Sequence, residues 1–229
     1  QAVRVKRVPS DSADMLARVG VATVPPPQDR STALVVPRYR HSMTLLSSAT
    51  LVFGGLSLSD VSAKKPVAEL YSPERNAFQA LTFASGDPAS RRGHVAARLK
   101  NGQALIIGGY TEAASGMKTA LGSTLLIDIT ARTASVTDGV LKTPRWGSSL
   151  HENNGELTIC GGYDQNGSVL GDCEFLSSET GQQSHAPSPM PNARAEHLAI
   201  PLENDLTLLV GGVGTDRKPV AALDFYTNR

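Results

Sequence analysis

The feature that most constrains this chain is a pair of adjacent glycines that occurs four times at nearly constant spacing. The pairs are Gly54-Gly55, Gly108-Gly109, Gly161-Gly162 and Gly211-Gly212, separated by steps of 54, 53 and 50 residues. Each pair ends a short apolar run of the kind that forms a buried strand. A fixed period of this length is typical of a repeat architecture, in which each copy forms one small supersecondary unit.

A second feature keeps register with the glycine pairs. An arginine stands 16 or 17 residues before each pair, and a polar residue follows that arginine three positions later. These positions are Arg38/His41, Arg91/His94, Arg145/Ser148 and Arg194/His197. We expect the histidines to hold the start of a strand by hydrogen bonding, because a position repeated in three copies serves the fold rather than a metal. We expect the arginines to pair with neighbouring copies.

Each copy contains the strands and turns of a small antiparallel sheet. Two short strands, joined by a turn such as Asn153-Asn154-Gly155, lie between the arginine and the end of the glycine-terminated run. A loop of variable length, a third strand and an outer strand such as residues 77–81 follow. Four antiparallel strands form one blade of a β-propeller. We therefore predict an all-β fold with blades at about residues 37–88, 89–142, 143–191 and 192–229.

Three features of each copy together resemble the kelch repeat family over about residues 37–229. They are the glycine-terminated strand, the aromatic or acidic third strand, and the segment from the repeated arginine to the first strand, which we call the lead-in. The sequence departs from that family where its fourth strand usually carries tryptophan, because Phe78 or Val136 stands there and the single tryptophan is Trp146. The resemblance implies a ring of five to seven blades. Four copies therefore indicate that part of a larger ring is missing or is supplied by another chain, with a ring of four blades as the less favoured alternative.

The first 36 residues form a separate N-terminal segment in this interpretation. The last copy ends at Arg229, soon after Gly211, and so has no fourth strand of its own. The apolar residues at 20–24 offer a spare outer strand. This strand would complete the last blade or belong to a preceding blade, and the sequence leaves both arrangements open.

The two cysteines of the chain fall within one copy. Cys160 ends the second strand of the third copy, and Cys173 begins its third strand. A disulfide between these neighbouring strands and a pair of buried free thiols both remain open. Because a disulfide fits an exported protein, we expect an extracellular, periplasmic or cell-surface location. No apolar run of about eighteen residues is present, so we expect no transmembrane helix.

Catalytic motifs are not recognisable in the sequence. We find no nucleophile elbow, phosphate-binding loop or Cys-x-x-Cys pair, and we expect neither an enzyme, a cofactor nor a metal. A net charge of +1 is too small to select nucleic acid. The alternative is a carbohydrate-binding or sugar-processing kelch protein that resembles sialate mutarotases or galactose oxidase. The galactose oxidase copper site, with two tyrosines, two histidines and a crosslinked cysteine, is not recognisable here.

The loops that follow the glycine pairs differ most between copies. Loops carried by a rigid scaffold are common places for recognition, and tyrosine and charged side chains suit interfaces. Our candidate contact residues are Tyr110, Tyr163, Lys64, Lys65, Asp164 and Arg217. The sequence therefore predicts a non-catalytic protein-protein interaction scaffold within a larger assembly. Several carboxylates and arginines around the central channel would instead favour the sugar-processing alternative.

Overall fold

The computed structural model describes residues 32–57, 67–86 and 88–227, and every regular element in these ranges is a β-strand. The strands form four small antiparallel sheets, arranged as the four blades of a β-propeller. The predicted all-β fold and its four blades are therefore confirmed. Among the described residues there is no helix of the length and apolar character needed to cross a membrane.

Three blades have four strands, and blade 4 has three among the described residues. Blade 1 contains β1 (Ser42–Leu45), β2 (Thr50–Phe53), β3 (Ala68–Ser72) and β4 (Ala77–Ala80). In blade 2, β5 (Val95–Arg98) and β6 (Ala104–Ile107) are followed by a separate two-stranded hairpin, β7 (Tyr110–Glu112) and β8 (Lys118–Ala120), and the blade is completed by β9 (Thr124–Asp128) and β10 (Thr133–Thr137). Blade 3 contains β11 (Ser149–Asn153), β12 (Glu156–Cys160), β13 (Asp172–Ser177) and β14 (Gln183–Pro189). Blade 4 contains β15 (Leu198–Pro201), β16 (Leu206–Val210) and β17 (Leu223–Thr227).

The blades follow one another around the axis in chain order. The first strands of successive blades contact each other, β1 with β5, β5 with β11 and β11 with β15. Each of these strands begins at the end of the sheet where the glycine pair ends the next strand, as the pairing of Ser42 with Phe53 shows. The lead-ins and the loops after the glycine pairs therefore share one face of the propeller, which we call the axial face.

Each interface between neighbouring blades has its own apolar core. Leu51 and Phe53 of β2 pack with Ile106 of β6 between blades 1 and 2. Leu105 and Ile107, on the other face of β6, pack against blade 3. Because side chains of a strand point alternately to opposite faces, one apolar strand such as β6 serves two interfaces. This explains why the glycine-terminated runs are apolar without interruption.

The glycine pairs join each blade to the next through the backbone. The N–H of Gly55 donates to the carbonyl of Arg91 at 3.0 Å, and Gly109 donates to Arg145 at 2.8 Å. A Cβ on Gly54 would lie 2.3 Å from the Arg91 carbonyl oxygen. This close approach excludes a larger residue at Gly54 and explains why glycine recurs at the end of this strand.

The arginine side chains remain within their own blades. The Arg145 guanidinium donates to the carbonyls of Gly161 and Asp172, both at 3.2 Å, and to Glu174 Oε1 at 2.7 Å. Arg194 binds its own blade in the same way. The expectation that the arginine side chains pair with neighbouring blades is therefore wrong, since the backbone carbonyl makes that contact.

Blade 2 lacks the acidic partner that the other blades provide. In blade 3, Glu174 lies opposite Ile159 in the neighbouring strand. The equivalent position of blade 2, opposite Ile106, holds Leu125, which has no charge. Arg91 binds the carbonyls of Gly108 and Ser123 instead. Burial lowers the pKa of Arg91 to about 10, and the charge of Asp138 offsets this effect only in part.

The cysteines form a disulfide between β12 and β13. Cys160 and Cys173 lie directly opposite each other in register, with their Cα atoms 4.1 Å apart, and both are fully buried. Of the two alternatives left by the sequence, the disulfide is confirmed. Such bonds are typical of compartments outside the reducing cytoplasm. The spare outer strand predicted at residues 20–24 lies outside the described residues.

Candidate functional site

The centre of the axial face is an open row of three backbone hydrogen bonds between equivalent lead-in positions of the four blades. The N–H of Gly93 donates to the carbonyl of Arg40 at 3.3 Å, Gly147 donates to Gly93 at 2.8 Å, and Glu196 donates to Gly147 at 2.7 Å. We call these four residues the axial rim. They are the second residues after the repeated arginines, one from each blade.

Two rim positions carry charged side chains where the other two have glycine. All four have positive φ, 58° at Arg40, 60° at Gly93, 67° at Gly147 and 54° at Glu196. A non-glycine residue in this region costs roughly 1–2 kcal/mol. Strained backbone of this kind tends to occur at functional sites. Arg40 and Glu196 face each other, with Nη2 and Oε1 3.7 Å apart.

Short bridges place the residues after the glycine pairs beside the rim. Tyr110 and Arg92 exchange backbone hydrogen bonds of 2.9 and 3.0 Å, and Tyr163 and Trp146 exchange bonds of 2.7 and 3.1 Å. The same bridge occurs in all four blades, which fixes the first residue of each variable loop against its lead-in. The first loop residue is therefore as well positioned as the strands.

These bridges bring three aromatic rings from two blades into contact. The ring centroids of Tyr110 and Trp146 are 5.1 Å apart at an interplanar angle of 62°, and those of Trp146 and Tyr163 are 4.4 Å apart at 33°. We call these three residues the aromatic cluster. Tyr110 is buried, whereas Trp146 and Tyr163 are partly exposed. The cluster thus has a supported base and an accessible side.

Two cations lie over the aromatic cluster. The Arg40 guanidinium is 5.8 Å from the Trp146 ring centroid and donates to the Tyr110 hydroxyl at 3.2 Å. Lys118 Nζ is 5.0 Å from the Tyr110 ring centroid and 5.2 Å from that of Trp146. The hydrogen bond to Tyr110 raises the pKa of Arg40, and burial raises the pKa of Tyr163. The surface is therefore cationic above neutral aromatic rings.

The loops around the cluster are tied to each other. Gln165, from the loop of blade 3, accepts from the Ala120 N–H at 2.6 Å and donates to the Lys118 carbonyl at 2.8 Å. Asp164 Oδ1 accepts from the N–H groups of Asn166 and Ser168, both at 2.8 Å, and so shapes its own loop. These bonds hold the hairpin of blade 2 and the loop of blade 3 as one surface.

The structure brings two of the six predicted contact residues together. Tyr110 and Tyr163 belong to the aromatic cluster, and Asp164 directly follows it. Arg217 is exposed on the loop of blade 4 and lies close enough for its charge to lower the pKa of Tyr163, although burial has the larger effect. Lys64 and Lys65 lie outside the described residues.

Four residues of this site were not among the predicted contact residues, and they are Arg40, Trp146, Lys118 and Glu196. A signal for two of them was present in the lead-ins, because Arg40 and Glu196 align with Gly93 and Gly147. The alignment of a charged residue with glycine marks a position where a side chain is not needed by the fold. Lys118 had no such signal, since its place depends on the unpredicted β7–β8 hairpin.

Two of the repeated histidines bridge neighbouring blades, and His41 and His94 also line the axial cavity. His94 Nε2 is 2.8 Å from Ser42 Oγ of blade 1, and His197 Nε2 is 2.8 Å from Ser149 Oγ of blade 3. In the described part of the chain, no group of three His, Cys, Asp or Glu side chains is placed to hold a metal ion.

Comparison with known proteins gives no relative from which a function could be transferred. No protein-family model matches the chain, and no curated protein matches it at a significant level.

Proposed function

We propose that this chain is a non-catalytic, kelch-type scaffold that binds a protein partner on its axial face. The observation that carries the proposal is the aromatic cluster of Tyr110, Trp146 and Tyr163 beneath Arg40 and Lys118. Tryptophan, tyrosine and arginine are the residues that most often dominate the binding energy of interfaces. Here they come from separate blades and meet on an accessible surface.

The charges around the cluster indicate the chemistry of the partner. Arg40, Lys118 and Arg217 place positive charge on this face, and Glu196 is held against Arg40. A partner segment with a carboxylate beside an apolar or aromatic side chain would complement both parts of the surface. Because the rings and loops are already tied together, little conformational entropy is lost on binding.

The lining of the axial cavity favours binding over sugar processing. The cavity has a volume of about 220 Å³, and its charged side chains are Arg40 and Glu196 among the described residues. The remaining wall includes glycine backbone, Trp146 and the side chains of His41 and His94. A sugar-processing site of the expected type would need several carboxylates and arginines at this place.

A location outside the cytoplasm is part of the same proposal. The disulfide between Cys160 and Cys173 is buried within one blade, where it constrains the loop that follows the third glycine pair. This arrangement supports an exported or surface protein, because structural disulfides persist in oxidising compartments.

The outer surface of blade 4 supports a place in a larger assembly. Leu198, Leu223 and Phe225 are more than half exposed on one face of this sheet. In blades 1 and 3, the arginine carbonyl of the following blade lies within 4 Å of the position that a Cβ on Gly54 or Gly161 would take. No described atom lies that close to the equivalent position at Gly211 in blade 4. We infer that a further blade packs on this face and continues the propeller.

The test is affinity capture from the native source with matched variants. Trp146→Ala removes the centre of the aromatic cluster, and Val136→Ala shortens an exposed side chain on the outer strand of blade 2. We expect Trp146→Ala to weaken binding of the captured partner by about 30-fold or more, equivalent to at least 2 kcal/mol. Val136→Ala should bind as the unmodified chain does.

The capture needs two further measurements to be decisive. Unfolding by urea must show that Trp146→Ala is folded, and calorimetry with the purified partner must give its Kd. A partner that binds Trp146→Ala and the unmodified chain equally would overturn the proposal. Turnover of a sugar by the unmodified chain would also do so.

A further inference from the structure

Two positions at the start of each blade change together from one interface to the next. The first position is the first residue of the first strand, which is Ser42, Val95, Ser149 or Leu198 in blades 1 to 4. The second position is the last residue of the lead-in, which is His41, His94, Ser148 or His197. At each interface, the first position of one blade is compared below with the second position of the following blade.

A serine at the first position is matched by a histidine in the following blade. Between blades 1 and 2, His94 Nε2 lies 2.8 Å from Ser42 Oγ. Between blades 3 and 4, His197 Nε2 lies 2.8 Å from Ser149 Oγ. Both histidines are buried, and a buried ring nitrogen without a partner is unfavourable. The serine hydroxyl therefore makes histidine acceptable at these two interfaces.

An apolar residue at the first position is matched by a serine in the following blade. Val95 of blade 2 packs against the apolar core between blades 2 and 3. The lead-in of blade 3 ends at Ser148, whose hydroxyl donates to the Gly161 carbonyl of its own blade at 2.9 Å. This serine needs no hydrogen-bond partner across the interface. The two positions thus form either a serine-histidine pair or an apolar-serine pair.

Blade 4 has an apolar first position on a face that no described blade covers. Leu198 is 67% exposed and lies opposite Val210 in the neighbouring strand. Leu208 and Phe225 lie opposite each other on the same face, and Phe225 is 58% exposed. Leu105 of blade 2, the equivalent of Leu208, is 3% exposed because blade 3 covers it. The face of blade 4 therefore continues the type of interface that joins the other blades.

The backbone of blade 4 also has a donor that contacts the following lead-in at every other interface. The N–H groups of Gly55, Gly109 and Gly162 donate to the arginine carbonyls of the following lead-ins at 3.0, 2.8 and 3.0 Å. Within the part of the chain that the structure describes, no backbone carbonyl accepts from the equivalent N–H of Gly212. The apolar face and this donor together indicate an occupant that has a lead-in of the same repeat.

The pairing of the two positions argues against blade 1 of a second copy as the occupant. Blade 1 would place His41 opposite Leu198, which has no atom that can bind the ring nitrogen. Where histidine occurs at the described interfaces, the opposite residue is the much smaller serine. Leucine and imidazole together would therefore overfill the same space.

We propose that the face of blade 4 is covered by a further blade whose lead-in ends in serine, as the lead-in of blade 3 ends in Ser148. This inference rests on the proposed continuation of the propeller and specifies the residue that faces Leu198. The aromatic cluster takes no part in this interface, so failure of the inference would leave the proposed partner site standing.

The pairing can first be tested at the interface between blades 2 and 3. Ser148→His places a histidine opposite Val95, and we expect the Tm to fall by about 3 °C because the ring nitrogen has no partner. Val95→Ser alone should also lower the Tm, since it removes an apolar contact. The double variant Val95→Ser/Ser148→His should recover most of the loss, because it restores the pair found at the other two interfaces. Additive losses would overturn the proposal.

The face of blade 4 is tested by extending the chain with its own residues. Residues 180–193 followed by residues 145–191 are added after Arg229, which supplies an outer strand for blade 4 and then a copy of blade 3. The matched control has the same extension with Ser148→His in the added copy only. We expect the serine extension to raise the Tm above that of the unmodified chain, and the histidine extension to melt about 3 °C below it. Leu198→Ser in the histidine extension should recover the difference.

The outcomes separate the residue assignment from the continuation of the propeller. If both extensions raise the Tm equally, the serine assignment is wrong and the further blade stands. If neither extension raises the Tm, both are wrong. Sedimentation equilibrium of the unmodified chain tests a second copy, and we expect no dimer that depends on this face. A dimer dissociated by both His41→Asp and Leu198→Asp would place blade 1 of a second copy there and overturn the proposal.

Discussion

The imidazole of His94 in blade 2 is joined to the hydroxyl of Ser42 in blade 1, with Nε2 and Oγ 2.8 Å apart. His197 and Ser149 make the same contact between blades 4 and 3, also at 2.8 Å. Burial lowers the pKa of His94 to about 3 and that of His197 to about 4, and the charge of the nearby repeated arginine adds to this effect. Both histidines are therefore neutral in the folded protein.

These contacts predict that the protein loses stability on mild acidification. An unfolded histidine has a pKa near 6.5, so below that pH the unfolded chain binds protons that the folded chain does not. The stabilisation is complete above pH about 6.5 and decreases as the pH falls toward about 4, by up to about 1.4 kcal/mol per pH unit for each histidine. Urea unfolding across this window measures the slope.

The contribution of one histidine can be separated by substitution. His197→Gln removes a buried titrating group and should make the free energy of unfolding less dependent on pH in this window. His185→Gln is the comparison variant, because it changes a histidine that is 66% exposed and whose Nδ1 contacts Glu156 Oε2 instead of lying buried between blades. An unchanged pH slope in His197→Gln would show that this contact does not couple protonation to folding.

Two glycines with nearly the same backbone conformation should respond differently to alanine. Gly54 has φ 68° and Gly211 has φ 67°, so both substitutions carry a similar backbone cost. A Cβ would meet the Arg91 carbonyl oxygen at 2.3 Å in the first case and no described atom within 4 Å in the second. We expect Gly54→Ala to cost about 2 kcal/mol more than Gly211→Ala.

The free energies of unfolding of both variants, measured in urea, check this difference. The comparison isolates the contact between blades 1 and 2, because the φ penalty cancels. Equal losses would mean that the close approach of Arg91 relaxes without cost. A larger loss in Gly211→Ala would instead indicate that a partner surface already covers blade 4 in solution.

The disulfide should contribute strongly to stability. Closing a loop across a sequence separation of 13 residues lowers the entropy of the unfolded chain, which stabilises the folded state by about 3 kcal/mol. The double variant Cys160→Ala/Cys173→Ala should lose about this amount, measured by urea unfolding without reductant. Reductant should lower the stability of the unmodified chain and leave the double variant unaffected. Thiol labelling of the native, unreduced chain would contradict the disulfide directly.

Much of this fold could be predicted from the sequence because its repeat is enforced by short-range geometry. Arg38 and Gly54 must keep register, since the Arg38 guanidinium donates to the Gly54 carbonyl, and the same bond in the other blades makes this constraint visible as a nearly constant offset. The position of Cys173 opposite Cys160 follows from the same register. The aromatic cluster could be predicted only in part, because Tyr110 and Tyr163 are loop residues whose meeting depends on the rotation between blades.

The polar contact between blades 3 and 4, where His151 Nε2 lies 2.8 Å from Thr207 Oγ1, was harder to predict for a different reason. Thr158 and Tyr226 each fit a strand pattern, and neither is unusual by itself. Their meaning appears only when each is compared with the apolar residue at the same position of another blade, such as Leu105 or Ile127. That comparison needs the strand register, which the glycine pairs alone do not give for the third strand.

The buried ion pair between Arg145 and Glu174 can be compared with blade 2, which has Leu125 at the position equivalent to Glu174. Both side chains are fully or almost fully buried, with Nη2 and Oε1 2.7 Å apart. Glu174→Leu reproduces the arrangement of blade 2, where Leu125 leaves Arg91 without a carboxylate. Removing one partner of a buried pair typically costs about 3–5 kcal/mol, and we expect the lower end because Asp172 also contacts Arg145 at 2.9 Å.

A double-mutant cycle separates the pair from its surroundings. Arg145→Met should also be destabilising, since it removes hydrogen bonds to two carbonyls and leaves Glu174 buried. The double variant Arg145→Met/Glu174→Leu should recover part of the loss, because neither charge then remains unpaired. Additive losses in urea unfolding would mean that the two side chains do not interact. The carboxylate of Glu174 would then serve mainly to accept hydrogen bonds from the N–H groups of Lys142 and Thr143, at 2.7 and 3.0 Å. Coupling between the two substitutions would instead show that the buried ion pair itself stabilises blade 3.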